Sequence, residues 1–249
     1  MKHTIYKSTG NISLFENDQK RDKLSMLGNP LEKLSKVIDF DIFRDNLEKM
    51  LINRDKDFSK GGARPYDVVL MFKIMILQQL YNLGDDQMEY QLNDRLSFRN
   101  FVGLSSGDKV PDAKTIWLFN DRLSKAGAAQ QLFDQFSMYL KEKGFYLNSG
   151  QIVDASFVEV PIQRNTREEN KKIKNGEGDD LWLNEPNKKR QKDTDARWTK
   201  KNGKNHFGYK DHTKVDSGSK LIKTYTVTDA SVHDSKAVGD LMEKDDEGQ

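Results

Sequence analysis

The hydrophobic pattern changes its period at residues 150–160, which read GQIVDASFVEV. Apolar and β-branched residues surround one acidic residue there, Asp154, and Pro161 follows directly. This pattern is typical of a β-strand that ends at the proline. A carboxylate within an apolar strand is costly to bury without a partner. We therefore expect Asp154 to lie at the centre of a sheet, held there by a structural hydrogen bond or by a divalent cation.

Upstream of residue 146 the apolar residues recur at helical spacing. The segment from Pro65 to about Asn82 is apolar around nearly its whole circumference, which predicts a buried helix. Residues 1–29 are polar and predict a loosely held arm. Three short helices over 86–124, the first begun by a capping box at Asp86, are compatible with a helix-turn-helix, although any small bundle has the same pattern. Further helices are predicted at 30–38, 42–51 and 128–143, and Trp117 and Trp182 are interpreted as packing residues.

Downstream, residues 205–228 alternate in polarity on both sides of a turn at 216–219, which predicts a β-hairpin. His206 and His212 are an even number of residues apart, so on one strand they share a face. A zinc site or an ordinary packing role are both open for these two histidines. A helix is predicted from Ser235 to Met242.

The composition describes a charge-rich chain with a modest core. The 249 residues include 41 Lys and Arg, 39 Asp and Glu, and no cysteine. The lack of cysteine excludes disulfides, thiolate zinc sites and a cysteine nucleophile, and it fits a reducing cytoplasm. No apolar run is long enough to span a bilayer, and the N-terminus has no apolar region typical of a signal peptide. No membrane association is expected.

Basic residues concentrate between 186 and 214, where ten basic side chains stand against three acidic ones. Such a block is typical of phosphate recognition, although a solvated flexible insertion has the same composition. Trp198 either packs or stacks on a base. The candidate DNA-binding residues are Lys188, Lys189, Arg190, Lys192, Arg197, Lys200, Lys201 and Lys204.

Three blocks of the second half carry a family likeness: residues 150–156 (GQIVDAS), 204–212 (KNHFGYKDH) and 226–236 (TVTDASVHDSK). The first half adds residues 63–67 (ARPYD), residues 92–101 (LNDRLSFRNF), and Pro111-Asp112 before Thr115-Ile116. In this order and spacing, the blocks resemble the bacterial insertion-sequence transposases of the DDE class, of the fifth-family type. The resemblance covers about residues 12–248.

The resemblance implies an α+β chain, in which a helical DNA-binding domain precedes an RNase-H-like catalytic domain. It implies a polar arm at 1–29, the helical domain at 30–145, and the start of the catalytic domain at 146–249 with a basic insertion at 162–204. It also implies that Asp154 is the catalytic and metal-binding aspartate of strand one, within a site of two Mg²⁺ (or Mn²⁺) ions. No organic cofactor is implied.

The sequence departs from the family pattern after Asp154. The family's second aspartate lies in an Asp-x-x-Tyr motif on strand four, and its glutamate lies in a Tyr-x-x-Arg-x-x-x-Glu motif. Neither motif occurs here; Arg164 and Glu168 match the inner spacing, but Pro161 stands in place of the tyrosine. We therefore expect three antiparallel strands, a chain that ends before strand four, and an inactive protein. A truncated gene, a split reading frame and a fragment all fit.

Three functions stay open at this point. The first is an insertion-sequence transposase that binds element-end and target DNA and carries out Mg²⁺-dependent strand cleavage and transfer. The second is a non-catalytic DNA-binding derivative that competes for transposon ends. The third, an unrelated RNase-H-like nuclease, is disfavoured by the matching N-terminal blocks. The expected partners are DNA and either a second copy or a complementing C-terminal polypeptide, in a bacterial, nucleoid-associated cytoplasmic setting.

Overall fold

The computed structural model describes residues 15–51, 64–105, 107–146, 150–201 and 203–242. The chain divides into two compact units, Met1–Phe136 and Ser137–Gln249. A helical first unit precedes a second unit built on a four-stranded antiparallel sheet, so the fold class is α+β, consistent with a partial RNase-H-like domain. One helix runs across the division, and the predicted domain bounds at 29/30 and 145/146 stay predictions. No helix among the described residues is both long and apolar enough to cross a membrane.

The helices of the first unit follow the predicted periodicity. They are α1 (Glu16–Met26), α2 (Pro30–Val37), a 3₁₀ turn (Phe40–Phe43), α3 (Arg44–Leu51), α4 (Val68–Tyr81), α5 (Asp85–Asp94), α6 (Leu96–Val102), α7 (Ala113–Lys125) and α8 (Ala128–Glu142), which continues into the second unit. The core forms around α4, as its apolar sequence predicts. Ile74 and Leu77 of α4 and Met88 and Leu92 of α5 are fully buried in it.

Side-chain caps explain where two of these helices begin. The helix predicted from Pro65 begins at Val68, because the Asp67 carboxylate accepts hydrogen bonds from the amides of Val69 and Leu70. The helix predicted from Asp86 begins one residue earlier, because the Gly84 amide donates to the Gln87 side chain. Both predicted starts were therefore wrong by one to three residues.

One prediction for the first unit fails on exposure. The polar arm predicted at 1–29 stays a prediction; its described part contains α1, which has no buried residue and is stabilised by ion pairs within the helix such as Lys20–Glu16 at 2.6 Å. Residues 1–14 lie outside the described residues. Trp117 was interpreted as a packing residue, yet 53% of it is exposed on α7.

The second unit contains β1 (Gln151–Glu159), α9 (Arg167–Lys174), α10 (Pro186–Lys189), β2 (Arg197–Lys201), β3 (Lys204–Asp216), β4 (Ile222–Asp229) and α11 (Asp234–Leu241). The long strand β3 pairs antiparallel with the other three. Gly208 pairs with both Glu159 and Arg197, so β2 lies on the edge of β3 opposite β1, in line with β4. The predicted hairpin at 205–228 and the predicted strand at 151–160 are both confirmed.

The basic insertion at 162–204 has more structure than its composition predicts. Helices α9 and α10 and strand β2 lie within it, and Ile173, Trp182 and Ala196 are buried. The interpretation of the insertion as a flexible solvated linker is therefore wrong. These three buried apolar residues are too far apart in sequence to produce a periodic signal.

Candidate functional site

Asp154 lies in the middle of β1, directly opposite Thr213 of β3. Side chains alternate along a strand, so Asp154 shares one face of the sheet with Ser156, Asp211 and Thr213. We call these four residues the carboxylate face. The Asp154 side chain is exposed, and its Oδ1 atom accepts a hydrogen bond from the Ala155 amide at 2.8 Å.

The expectation that Asp154 is buried at the centre of a sheet is wrong for the described residues. Among the described residues, β1 pairs with β3 alone, so β1 is an edge strand of this sheet. Ile152, Val153 and Val158 of β1 are each more than 40% exposed. The carboxylate therefore loses little hydration, and no burial penalty has to be offset by a cation.

The opposite face of the sheet carries a row of buried polar residues: Lys210, His212, Lys214 and Asp216. The Lys210 ammonium donates to the Val232 carbonyl at 2.6 Å and to Asp234 at 2.9 Å. That hydrogen bond and charge hold the pKa of Asp234 below its usual range. The sequence signal for this row is the alternation of charged residues along β3.

The two histidines of β3 already have partners within this unit. His212 contacts the Thr228 hydroxyl at 3.0 Å. His206 contacts Glu159 at 2.6 Å and stacks flat on Phe157, with ring centroids 4.3 Å apart. Within the described ranges, no three His, Asp or Glu side chains are grouped to hold a metal ion. The geometry gives no support to a zinc site here.

Four of the eight candidate DNA-binding cations are engaged inside the insertion. Lys188 pairs with Glu169 at 3.3 Å, and Lys189 donates to the Asp179 carbonyl at 2.6 Å. Lys192 donates to the Arg164 carbonyl and to Asn165, both at 2.7 Å. Arg197 donates to the carbonyls of Thr194 and Ile173. These four side chains are half-buried and hold the insertion together.

The other four candidate cations, Arg190, Lys200, Lys201 and Lys204, are exposed. Three of them lie on β2 and the start of β3, and Arg190 follows α10. The structure therefore separates the predicted set into a structural group and an accessible group. Charge patterning alone could not make this distinction, because both groups have the same residue types.

Glu169 organises the helical part of the insertion and was missed by the sequence analysis. Its carboxylate accepts hydrogen bonds from the Thr166 amide at 2.7 Å and from the indole of Trp182 at 2.8 Å. These bonds, together with Lys188, lower the pKa of Glu169 to about 2. The available signal was a capping box, Thr166 followed three residues later by Glu169.

An α-helical unit followed by an antiparallel sheet with an aspartate at the middle of strand one is the arrangement that the resemblance to the DDE class implies. Residues 18–122 match a family model described as a transposase domain, and residues 146–247 match the transposase DDE domain. No solved structure matches the chain.

The chain belongs to the insertion-sequence transposases of the DDE type, with the N-terminal domain followed by the start of the DDE domain. The resemblance stated from the sequence is confirmed at this level, and the fifth-family assignment stays a prediction.

The DDE family generally uses divalent metal ions, and the donor atoms of the carboxylate face fit part of such a site. Asp154 offers an exposed carboxylate. Asp211 pairs with Ser156 and lies on the same face, two residues along β3 from the partner of Asp154. Its Oδ1 atom is buried without a hydrogen-bond partner among the described residues. Carboxylate oxygens of this kind suit Mg²⁺. The described residues include no group of three His, Asp or Glu side chains that could hold a metal ion, so they do not fit a complete site.

Proposed function

We propose that this chain binds the DNA ends of its insertion sequence and contributes Asp154 as the first catalytic carboxylate for Mg²⁺-dependent strand cleavage and transfer. The observation that carries the proposal is the place of Asp154, mid-strand on β1 and projecting from the sheet of a DDE domain. The carboxylate has one hydrogen bond within the chain, from the Ala155 amide, so its remaining lone pairs are open to a ligand.

The proposed metal chemistry is that of the family. When bound, Mg²⁺ (or Mn²⁺) activates water or a DNA 3′-hydroxyl as the nucleophile and stabilises the leaving oxygen. In this chain Asp154 would hold the ion, and the unpartnered oxygen of Asp211 is the next donor on the same face. No Asp-x-x-Tyr motif follows Asp154 in the sequence. We therefore propose that the chain alone does not cleave DNA, and that a complementing C-terminal polypeptide supplies the missing carboxylates.

The test combines a nicking assay with the Asp154→Asn variant. The purified chain is incubated with supercoiled plasmid and Mn²⁺, alone and with a polypeptide carrying the family's Asp-x-x-Tyr and glutamate motifs. We expect nicking only in the combined reaction, and loss of that nicking with Asp154→Asn. Nicking that survives the substitution would refute the assignment of Asp154. Nicking by the chain alone would refute its proposed dependence on a complementing polypeptide.

A second candidate function is a non-catalytic DNA-binding derivative that competes for transposon ends. The exposed cations of the insertion favour it, because DNA binding needs no second carboxylate. Reading the DNA downstream of codon 249 separates the candidates. An Asp-x-x-Tyr motif there, in frame or one frame away, favours the transposase, whereas unrelated sequence favours the competitor.

DNA binding is the part of the proposal that both candidates share. It is supported by the four exposed cations of the insertion, because phosphate contacts supply salt-dependent and largely sequence-independent affinity. A protein with this substrate is expected at the bacterial nucleoid in the cytoplasm. Affinity for element-end DNA that does not change with salt concentration would contradict the assignment of these cations.

A further inference from the structure

The hairpin formed by β2 and the first residues of β3 differs in character from the rest of the insertion. In this β2–β3 hairpin (residues 197–201 and 204–208), Trp198 pairs with Phe207 and Lys201 pairs with Lys204. In the helical part of the insertion, Lys188, Lys189 and Lys192 have partners within the insertion. By contrast, the side chains of Lys200 and Lys204 make no hydrogen bond or ion pair with any other described residue.

We infer that the β2–β3 hairpin is the nucleic-acid contact of the second unit and that it prefers unpaired DNA. In this arrangement Trp198 stacks on an exposed base, and Lys200, Lys201 and Lys204 neutralise the neighbouring phosphates. This inference rests on the proposed function and deepens it, because it selects one element of the insertion and one form of DNA.

The first support is a pair of like charges. Lys201 and Lys204 lie directly opposite each other on neighbouring strands, an arrangement that destabilises a sheet unless an anion compensates it. Glu159, on the same face, is already engaged with His206, and Asp234, whose carboxylate feels the charge of Lys201, already pairs with Lys210 at 2.9 Å. The Lys201 ammonium lies 5.4 Å from the Phe157 ring, which fixes its stem without neutralising its charge. A phosphate backbone supplies the missing anions.

The second support is an exposed indole on a rigid base. Trp198 is 48% exposed, although tryptophan is one of the residues that gain most from burial. Its ring contacts that of Phe207 with centroids 5.1 Å apart, and Phe207 is buried, so the indole is held in place while part of it faces solvent. Base–aromatic stacking is worth about 1–3 kcal/mol per base. Such stacking needs an unpaired base, because the faces of paired bases are covered by their neighbours.

The third support is the direction in which the hairpin presents Trp198 and Lys200, because the pair Lys201–Lys204 projects from the other face of the sheet. Phe207, Tyr209 and Asp211 alternate along β3, so they share one face, and Trp198 lies opposite Phe207. Trp198 and Lys200 therefore lie on the same face of the sheet as Asp154. A single strand that stacks on Trp198 would continue along the face that carries the proposed catalytic aspartate.

The binding test compares two triple variants with the same change in charge. One removes Lys200, Lys201 and Lys204 as alanines; the control removes Lys171, Lys172 and Lys174, which are exposed on α9 of the same insertion. Affinity for oligothymidylate is measured against salt concentration. We expect the hairpin variant to bind at least about tenfold more weakly and its salt slope to fall by about 2, since single strands contribute about 0.7 per phosphate contact. The α9 variant should keep the wild-type slope.

The stacking test uses Trp198→Ala and Trp198→Phe, with Trp117→Ala as the control for an exposed tryptophan elsewhere. We expect Trp198→Ala to lose about fivefold or more in affinity for oligothymidylate, Trp198→Phe to keep most of it, and affinity for a duplex of equal length to change little in both. Thermal melting by circular dichroism shows whether each variant folds; if a Trp198 variant does not, the comparison of Trp198→Phe with wild type decides.

The outcomes separate this inference from the proposed function. Equal losses in the hairpin and α9 variants, or equal affinity of the wild type for single-stranded and duplex DNA with no effect of Trp198→Ala, would overturn the hairpin assignment while leaving DNA binding in place. A wild-type chain that binds neither form of DNA would overturn both.

Discussion

The Tyr209 hydroxyl lies 2.7 and 2.8 Å from the two carboxylate oxygens of Asp193, and this contact ties the insertion to the central strand of the sheet. Asp193 also accepts hydrogen bonds from the amides of Asp195 and Ala196, which close the loop before β2. Burial alone would raise the pKa of Asp193, but these hydrogen bonds outweigh it and lower the pKa. Burial and the adjacent carboxylate raise the pKa of Tyr209. The contact therefore anchors the loop that precedes β2 to β3, on the face of the sheet that also carries Asp211.

Tyr209→Phe is expected to loosen this anchor. Removal of a hydrogen bond to a charged acceptor should lower the free energy of unfolding by about 1.5–3 kcal/mol. Urea unfolding measures the loss, and amide hydrogen exchange should show faster exchange at residues 194–201. Tyr90→Phe is the control, since Tyr90 is 65% exposed on α5. An unchanged exchange rate in the loop would mean that the Asp193 contact does not hold the insertion in place.

Glu169 is expected to make the fold of the insertion sensitive to acid. Its pKa is about 2 in the folded chain and about 4.3 when unfolded, so its contribution is complete above the unfolded value and is lost as the pH falls toward 2. Thermal melting between pH 5 and about 2 should show this loss, and Glu169→Gln should be less stable at neutral pH and have a flatter profile. Glu168→Gln, at the exposed neighbouring position, is the charge-matched control; the same flattening there would contradict the assignment.

Gly208 of β3 pairs with β1 on one side and with β2 on the other, and its lack of a side chain permits this close approach. Its φ angle is +147°, and a Cβ atom would clash with the Val158 carbonyl oxygen of β1. Gly208→Ala should therefore lower the free energy of unfolding by more than about 2 kcal/mol, since strain and a steric clash add. Gly239→Ala on α11 is the matched control: it has open space around it and should stabilise the chain by about 0.5–1 kcal/mol. Equal effects of the two alanines in chemical denaturation would show that β1 and β3 do not approach closely at Gly208.

Arg99 is expected to hold the loop between α6 and α7. It is buried, and its guanidinium donates to the carbonyls of Ser105, Asp108 and Leu92. Arg99→Met leaves these carbonyls without a donor and should destabilise the chain by at least about 2 kcal/mol. The control is Arg21→Met, whose ion pair with Asp18 is exposed and should contribute little. Similar melting temperatures for the two variants would show that the carbonyl contacts of Arg99 contribute no stability.

The sequence by itself determined the class of fold and the family. Helical spacing placed the core helix around Ile74 and Leu77, and the change to a period of two placed β1 and the β3–β4 hairpin, because both patterns are local consequences of burying one side of an element. The order and spacing of the blocks at 150–156, 204–212 and 226–236 identified the DDE domain, since each block is a run of consecutive residues. Helix starts were less exact, since Asp67 and Gln87 act through single hydrogen bonds that periodicity does not record.

Only the tertiary structure decided which charged residues are used internally and which face solvent. Lys189 and Lys200 are equivalent in a charge count, yet one donates to a carbonyl within the insertion and the other lies exposed on a hairpin. The exposure of Asp154, its shared face with Asp211 and Trp198, and the anchor between Tyr209 and Asp193 all depend on strand register. Register joins residues as far apart in sequence as Gln151 and Asp216, and no local pattern in the sequence carries that information.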